Sequence, residues 1–353
     1  MKTIPVILLG AGGVGRTVIE QIVSGRENVA ARNHVRFNLI AVADSRRWMF
    51  DANGLSDETL TDIVNIKKSR KQMGEERPDV IGMLDAAVAA GHQHGILVDV
   101  TAQDGMEPAL NHALALGWGM ALANKKAFAG PWETAKTFFN NPYVRHESTV
   151  GGGQPVIATM RYLMDTNDAP THIEGQLSGT LGYLCQRMDQ GIAFSLAVAE
   201  AKAKGYTEPD PREDLGGMDV MRKVLILARM RGWEMEASDI EVESLYSSAL
   251  SHLTIPEFMA ASVSMDHSMA DRVAAAKAEG NVLRYIGEVA DGKGKVGLKA
   301  ISQENALSNL KFISFTTPNY NDEQLMLIGK GAGVEMTAAG VIGDMIGLAR
   351  EVL

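Results

Sequence analysis

Two charged side chains, Asp219 and Lys223, stand four residues apart within a strongly apolar stretch of the sequence. The stretch runs from Met218 to Met230 and reads MDVMRKVLILARM, which predicts a helix that is buried on nearly every side. Because residues four apart share one face of a helix, we expect the carboxylate and the ammonium to meet. A lysine that is removed from water beside acidic groups is suited to proton transfer.

The segment that precedes this helix, GYTEPDPREDLGG, is rich in carboxylates, prolines and glycines. Such segments are commonly solvated loops whose aspartates cap the next helix. The alternative is that these acids are partners of a buried lysine that takes part in proton chemistry. The residue pattern leaves both interpretations open.

A glycine-rich segment near the start, VILLGAGGVGRTVIEQIV, reads as a strand, a tight turn and an amphipathic helix. Gly10, Gly12 and Gly15 match the GxGxxG pattern of dinucleotide-binding domains. In that pattern the turn, which here includes Gly13 and Val14, brings a pyrophosphate close to the N-terminus of the helix. The segment therefore predicts a dinucleotide cofactor.

Asp44 ends the next predicted strand, FNLIAVADS, at the position where an acid accepts the hydroxyls of the adenine ribose. Arg46 and Arg47 follow at once, and an arginine at this place can hold the 2′-phosphate of NADP. The cofactor is therefore predicted to be NADP or NAD, without a choice between them.

Further strands are predicted at GILVDVT and GMALANKK, each after a helix-like segment. This alternation predicts an α/β fold with a Rossmann-type doubly wound parallel sheet, whose ligands lie at the carboxyl ends of the strands. Thr101 and Lys125 fall at such ends. A surface loop is the other interpretation of Lys125. Strand patterns at NVLRYIGEV, KVGLKAIS and QLMLIGKG predict a second sheet in an α+β domain.

The 353 residues suit two domains, and the formal net charge of −9 argues against a nucleic-acid partner. The basic cluster KKSRK is expected to be a solvated helix face. A single cysteine, Cys185, excludes an intrachain disulfide and favours a cytoplasmic protein. No apolar stretch approaches the roughly 20 residues needed to cross a bilayer, so no membrane association is expected.

Six separated segments resemble those of homoserine dehydrogenases, in the order in which that family has them, and they cover almost the whole chain. The form of the segment around Ser178 is more similar to the fungal, monofunctional type than to the common bacterial type. The segments are GAGGVG, ANKKAF, HESTVGGGQP, IEGQLSGTLGY, GYTEPDPREDLGGMDVMRK and GKGAGVEMTAAGVIGD.

The resemblance implies NAD(P)-dependent interconversion of L-aspartate 4-semialdehyde and L-homoserine. It implies that Lys223 donates and accepts the proton and that Lys125 is a second active-site lysine. The positions that it assigns to the amino-acid substrate are Glu208, Asp219, Asp214, Thr180 and Gly179. To the cofactor positions found above, the resemblance adds Gly205 and Gly333. The full set of predicted cofactor positions is Gly10, Gly12, Gly13, Val14, Gly15, Asp44, Arg46, Thr101, Lys125, Gly205 and Gly333.

The same resemblance implies a monovalent cation, usually sodium, near the glycine run Gly151 to Gly153, which by itself indicates a flexible hinge. Gln154 departs from the aliphatic residue that is common in the family. The implied ligands are the carboxylate of Glu147 and the backbone carbonyls of Val150, Gly152 and Gln154.

The domain organisation follows from these assignments. We expect a dinucleotide-binding domain at residues 1–150, a substrate-binding and dimerisation domain at 151–332, and a C-terminal segment at 333–353 that packs back on the first domain. The resemblance implies a homodimer and no appended regulatory domain. Two alternatives stay open: a relative that acts on another small hydroxy acid, and a non-catalytic NAD(P)-binding sensor.

Overall fold

The computed structural model describes residues 1–353, except for the side chain of Ala306. The chain forms two compact units, Met1–Ala158 with Ala332–Leu353, and Thr159–Gly331. The functional domain boundaries near residues 150 and 332 stay a prediction. None of the described helices is long and apolar enough to span a membrane.

The first unit alternates strands and helices. Its elements are β1 (Lys2–Leu9), α1 (Gly13–Asn33), β2 (Val35–Ala43), β3 (Arg47–Phe50), α2 (Asp57–Lys68), β4 (Glu75–Glu76), α3 (Val80–Ala89), β5 (Ile96–Asp99), α4 (Glu107–Ala115), β6 (Gly119–Leu122), α5 (Lys126–Ala129), α6 (Trp132–Ala135) and β7 (Val144–Arg145). Short 3-10 helices follow at Lys136–Phe138 and Glu147–Thr149, and α7 (Val156–Asp165) runs across the boundary into the second unit.

These strands form one seven-stranded sheet in the order β4-β3-β2-β1-β5-β6-β7. The five strands β2, β1, β5, β6 and β7 pair in parallel, which confirms the predicted doubly wound sheet. β3 and β4 add an antiparallel edge that the sequence analysis missed. Only residues 44–46 separate β2 from β3, too few for the crossover of about a dozen residues that a parallel pair needs.

The second unit holds most of the remaining elements. They are β8 (His172–Gly175), α8 (Gly179–Asp189), α9 (Phe194–Ala203), α10 (Pro211–Leu215), α11 (Met218–Arg231), β9 (Ile240–Val242), α12 (Ile255–Ala261), α13 (Asp266–Ala278), β10 (Asn281–Ala290), β11 (Lys293–Ser302), β12 (Phe312–Thr316) and β13 (Leu325–Ile328). Short 3-10 helices lie at Ala237–Asp239, Ser248–Leu250, Ser262–Met265 and Ala306–Asn309.

Its six strands form a mixed sheet in the order β13-β12-β8-β10-β11-β9. The three strands predicted in this region correspond to β10, β11 and β13. The sequence analysis missed β8, β9 and β12, which have five residues or fewer and carry little of the alternation that marks a strand. β8 lies at the centre of the sheet, so α8 begins directly beside the middle strands.

The lysine-bearing helix α11 is buried along most of its length, as predicted, although Met218 at its start is exposed. It begins after Gly217, whose φ of +72° lies in the left-handed region that favours glycine. A Cβ on Gly217 would lie 2.1 Å from the hydroxyl oxygen of Tyr285 on β10. This close approach requires glycine and sets the position at which α11 starts.

The chain ends with α14 (Val334–Glu351), which belongs to the first unit. Its buried residues Val341 and Met345 share one apolar core with Val18 and Ile22 of α1 and with alternate residues of β1. The two helices are in contact, which confirms the predicted return of the C-terminal segment.

Candidate active site

The glycine turn between β1 and α1 approaches its own helix closely. A Cβ on Gly15 would lie 1.6 Å from the carbonyl oxygen of Gly10, so only glycine fits there. A Cβ on Gly12 meets no described atom within 4 Å, so this side of the turn is open. Gly12 is also the N-cap of α1 and has no side chain with which to satisfy the first amides of the helix. Because the first N–H groups of a helix have no partner within it, the turn, which continues through Gly13 and Val14, offers donors that suit a pyrophosphate.

A cavity of about 420 Å³ opens beside this turn, at the carboxyl ends of β1, β2 and β5. Its volume lies within the usual range for small-molecule sites. It brings together four residues that the sequence analysis assigned to the cofactor: Gly10, Gly12, Asp44 and Thr101. Lys67, Arg77, Val80, Gln103 and Met106 are among the other lining residues.

Asp44 is held on both carboxylate oxygens. Oδ1 accepts the amide N–H groups of Arg46 and Arg47 at 2.8 and 2.7 Å, and Oδ2 accepts Nζ of Lys67 at 2.6 Å. Burial raises the pKa of Asp44, but the hydrogen bonds from Lys67, Arg46 and Arg47 outweigh it, and the pKa lies below its usual value. The carboxylate therefore stays ionised and is paired within the chain.

A second cavity, of about 490 Å³, lies next to Asp44 in the same unit, and its charged lining residues are three arginines and two acids, Glu76 and Asp79, so it is basic on balance. Arg46, Arg47 and Arg77 line it, and Lys67 and Arg77 line the neighbouring cofactor cavity. The expectation that the KKSRK cluster is a solvated helix face was wrong for Lys67. Because α2 ends at Lys68, the cluster continues past the helix, and the Lys67 side chain is only 20% exposed. The sequence analysis missed Lys67 and Arg77, and its one signal was the basic cluster itself.

Thr101 and Lys125 lie in the loops that follow β5 and β6. Between these loops Asn124 donates from Nδ2 to the buried carboxylate of Asp99 at 3.0 Å. Burial raises the pKa of Asp99, against hydrogen bonds from Thr101 and Asn124. Lys125 is partly buried and lies directly before α5.

Gly333 also belongs to the first unit, where it precedes α14. A Cβ on Gly13 would lie 3.6 Å from Cγ2 of Val334, the residue that follows Gly333. The start of α14 thus lies beside the glycine turn. Gly205, the other glycine assigned to the cofactor, belongs to the second unit and directly precedes Tyr206.

In the second unit Lys223 makes two short contacts. Its Nζ lies 2.6 Å from Oδ2 of Asp219 and donates to the carbonyl oxygen of Leu177 at 2.7 Å. The Lys223 side chain is 15% exposed and that of Asp219 is 48% exposed. The predicted contact between Lys223 and Asp219 is confirmed. Asp219 also remains accessible to solvent. Leu177 precedes Ser178, the N-cap of α8, so the ammonium lies beside the SGT turn.

The predicted substrate residues gather around that turn. Thr180 donates from Oγ1 to the carbonyl oxygen of Tyr206 at 2.6 Å, and the amide of Glu208 donates to Oδ2 of Asp214 at 2.8 Å. Burial raises the pKa of Asp214, although the Glu208 amide and the Thr180 hydroxyl lower it. Gly179 begins α8 within the same turn. Glu208 itself is exposed, whereas Asp214 and Asp219 are partly buried.

Both interpretations of the acidic segment find support in different residues. Asp210 accepts the amide of Arg212 and caps α10, as a solvated loop would. Asp214 is instead partly buried against the SGT turn, and Asp219 binds the buried lysine. The segment therefore combines one structural aspartate with two acids at the candidate site.

The segment predicted to hold a cation is bound by hydrogen bonds within the chain. The carboxylate of Glu147 accepts the amides of Ile157 and Ala158 at 2.7 and 2.9 Å, at the start of α7. The carbonyl oxygen of Gln154 accepts the amide of Val156 at 2.7 Å. Two of the four predicted ligands therefore already serve as acceptors, and the predicted carbonyls of Val150 and Gly152 lie in the same loop.

Comparisons with known proteins agree on one family. The model of the homoserine dehydrogenase NAD-binding domain matches residues 10–142, and the homoserine dehydrogenase model matches residues 155–346. A homoserine dehydrogenase of Paracoccidioides brasiliensis is 37% identical over 98% of this chain and 97% of its own length. The chain belongs to the homoserine dehydrogenase family. This confirms the resemblance drawn from the six motifs and the presence of an NAD(P)-binding domain.

The homoserine dehydrogenase family also includes longer proteins. The bifunctional aspartokinase/homoserine dehydrogenase of Haemophilus influenzae is 36% identical over 98% of this chain but only 43% of its own length. The chain thus spans less than half of this bifunctional relative.

Solved structures share the homoserine dehydrogenase fold along the whole chain. A protein of unknown function from Candida auris is 31% identical, with a TM-score of 0.87 over 100% of this chain and 99% of its own. A hyperthermophilic archaeal homoserine dehydrogenase in complex with NADPH has a TM-score of 0.72 over 98% and 97% of the two chains. At 23% identity, the second likeness concerns the fold alone.

Proposed function

We propose that this chain catalyses the NAD(P)-dependent interconversion of L-aspartate 4-semialdehyde and L-homoserine. The observation that carries the proposal is the position of Lys223. Its ammonium binds Asp219 and the carbonyl oxygen of Leu177, and Leu177 directly precedes the turn that the resemblance assigns to the substrate. A lysine held in this way is oriented toward one place and keeps a proton available there.

Lys223 is proposed to donate a proton to the aldehyde oxygen as negative charge develops on it, and to take the proton back in the oxidation of homoserine. Lys125 is proposed as a second active-site lysine, as the resemblance implies. The bound nicotinamide supplies the hydride for reduction or accepts it in oxidation. Glu208, Asp214 and Asp219 carry the negative charge that would bind the ammonium of the substrate, and Thr180 and Gly179 border them.

The cofactor is proposed to be NADP rather than NAD. The carboxylate of Asp44 is already paired with Lys67, while the basic cavity beside it adds Arg46, Arg47 and Arg77. A 2′-phosphate brings negative charge that these cations can bind through charge-assisted hydrogen bonds. A ribose without the phosphate would bring no negative charge to these cations.

Three further expectations concern the whole protein. A sodium ion at the Glu147 loop is proposed to have a structural role, and replacing sodium chloride with choline chloride should then lower the melting temperature. We also propose a homodimer, and light scattering should then give the mass of two chains. The single buried cysteine agrees with a cytoplasmic protein.

The decisive experiment follows nicotinamide absorbance with L-homoserine and with 4-hydroxybutyrate, each with NADP⁺ and with NAD⁺. We expect turnover of L-homoserine, and a loss of about 100-fold or more with the analogue that lacks the ammonium, because the positive charge that these acids are proposed to bind is then absent. Equal rates with both substrates would instead favour a relative that acts on another hydroxy acid. Cofactor binding without any turnover would favour the sensor.

A further inference from the structure

A buried carboxylate stands where the loops of the first unit that carry Thr101 and Lys125 begin. Asp99 is the last residue of β5, paired with Leu9 of β1 on one side and with Leu122 of β6 on the other. It is 1% exposed, and no ion pair involves it among the described residues. Burying a carboxylate without a cation is unfavourable unless hydrogen bonds satisfy its oxygens. The partners of Asp99 therefore indicate what it does.

The hydrogen bonds of Asp99 reach both neighbouring loops. Oδ1 accepts the amide N–H of Thr101 at 2.9 Å, and Oδ2 accepts Nδ2 of Asn124 at 3.0 Å. Its backbone carbonyl accepts the amides of Ala123 and Asn124 at 2.9 and 3.3 Å. One residue therefore holds the start of the loop after β5 and the start of the loop after β6.

Asn124 extends the connection. Its Nδ2 also donates to the carbonyl oxygen of Gln103 at 2.8 Å, and its Oδ1 accepts the amide of Lys126 at 3.1 Å. The residue on each side of Lys125 is thus fixed by side-chain hydrogen bonds. Thr101 and Gln103, on the other loop, line the cofactor cavity.

We propose that Asp99, acting through Asn124, is a positioning residue that holds the Thr101 cofactor loop and the Lys125 loop in register with each other. This inference rests on the proposed function for the roles of Thr101 and Lys125. Asp99 does not itself line the cofactor cavity, but it binds the amide of Thr101, which does, and it reaches the Lys125 loop through Asn124.

The proposal requires a carboxylate rather than any polar group of the same size. Asp99 accepts N–H donors on both oxygens. In an Asp99→Asn variant one of those positions becomes an NH₂ group, which faces a donor and cannot bond to it. Changing Asn124→Asp in addition restores an acceptor opposite the new NH₂ group, although it removes the donor to Gln103.

The test measures homoserine oxidation, the NADPH dissociation constant and the acetylation rate of Lys125 by peptide mass spectrometry. It compares the native chain with Asp99→Asn, Asn124→Asp and the double variant.

We expect Asp99→Asn to lower kcat by about 10-fold or more with a smaller change in the KM for homoserine, because a buried donor loses its acceptor. Acetylation of Lys125 should become severalfold faster, while that of the exposed Lys71 stays unchanged. The double variant should recover part of the lost kcat, and acetylation of Lys125 should slow toward the native rate.

A Lys125→Ala background separates positioning from general destabilisation. There, Asp99→Asn should lower kcat far less than in the native chain, because two residues that act through one another are not additive. An equal loss in both backgrounds, without recovery in the double variant, would overturn the inference. An inactive native chain whose Lys125 acetylation still depends on Asp99 would refute the proposed function and leave the network standing. Unchanged acetylation and NADPH affinity in an active enzyme would refute the network alone.

Discussion

The two units each contain an acid–lysine pair with a 2.6 Å contact, and the pairs differ in how they are built. Asp44 and Lys67 come from the end of β2 and the end of α2, and both are largely buried. Asp219 and Lys223 lie on one helix, with the lysine buried and the acid about half exposed.

The contrast shows how the same two residue types serve different ends. Asp44 also accepts two backbone amides, so its oxygens are occupied and the pair fixes a loop beside a basic cavity. Lys223 has a backbone carbonyl as its second partner, and its acid remains open to solvent. A pair whose carboxylate oxygens are already occupied suits the recognition of a fixed anionic group. A lysine beside an accessible acid suits proton transfer.

Removing Lys223 should have the largest effect. Lys223→Ala is expected to lower kcat by about 10²- to 10⁴-fold with NADP⁺ and NAD⁺ alike, because general acid–base catalysis typically contributes that much. Steady-state rates with L-homoserine measure it, and Arg222→Ala on the same helix is the matched control. A variant that keeps a tenth of native kcat would contradict the assigned proton transfer.

Removing one of the cations beside Asp44 should act on the cofactor alone. Lys67→Met and Arg46→Gln are each expected to raise the KM for NADP⁺ by about 10-fold, since one charge-assisted hydrogen bond to a phosphate is lost. The KM for NAD⁺ and kcat should change little. Lys68→Met is the control, because Lys68 is 56% exposed and pairs with Glu20. Equal losses with both cofactors would argue against a 2′-phosphate site.

Neutralising the acid of the second pair should have a moderate effect. Asp219→Asn keeps the shape but removes the charge opposite Lys223, which retains the carbonyl of Leu177. We expect the kcat/KM for homoserine to fall by about 3- to 10-fold, the range for one hydrogen bond weakened at a partly exposed site. Glu213→Gln, an exposed change in the same acidic segment, is the control. Losses as large as those of Lys223→Ala would place Asp219 in the proton transfer itself.

The smallest effect concerns stability and pH. The pKa of Asp44 in the folded chain lies below the ordinary value of 3.8, so its contribution to folding is present above pH 3.8 and is lost as the pH falls through the folded pKa. Asp44→Asn should therefore lower the melting temperature at pH 7, and the difference from the native chain should shrink below pH 3.8. Melting curves at several pH values test this, with Asp62→Asn as an exposed control. A difference that is constant with pH would contradict the ionised pair.

Local patterns predicted one pair and not the other. The four-residue spacing of Asp219 and Lys223 is a property of any helix, so their contact could be predicted before the fold was known. Asp44 and Lys67 are 23 residues apart, and their contact depends on how α2 returns toward the end of β2. The only local signal at Lys67 is its basic neighbours, which are typical of a solvated surface.

The glycine turn, the parallel strands and the buried α11 followed from the sequence by itself, because periodicity and glycine spacing are local constraints on the backbone. The antiparallel edge of β3 and β4, the three short strands of the second sheet, and the joining of Asp99 to Asn124 were decided only by the tertiary structure. These strands are short, and apart from the pairs β2 with β3 and β12 with β13 their partners lie far away along the chain, so they carry little local signal. Their pairing is set by which strands lie next to each other, since a polar group that leaves water must bind whichever partner the fold brings to it.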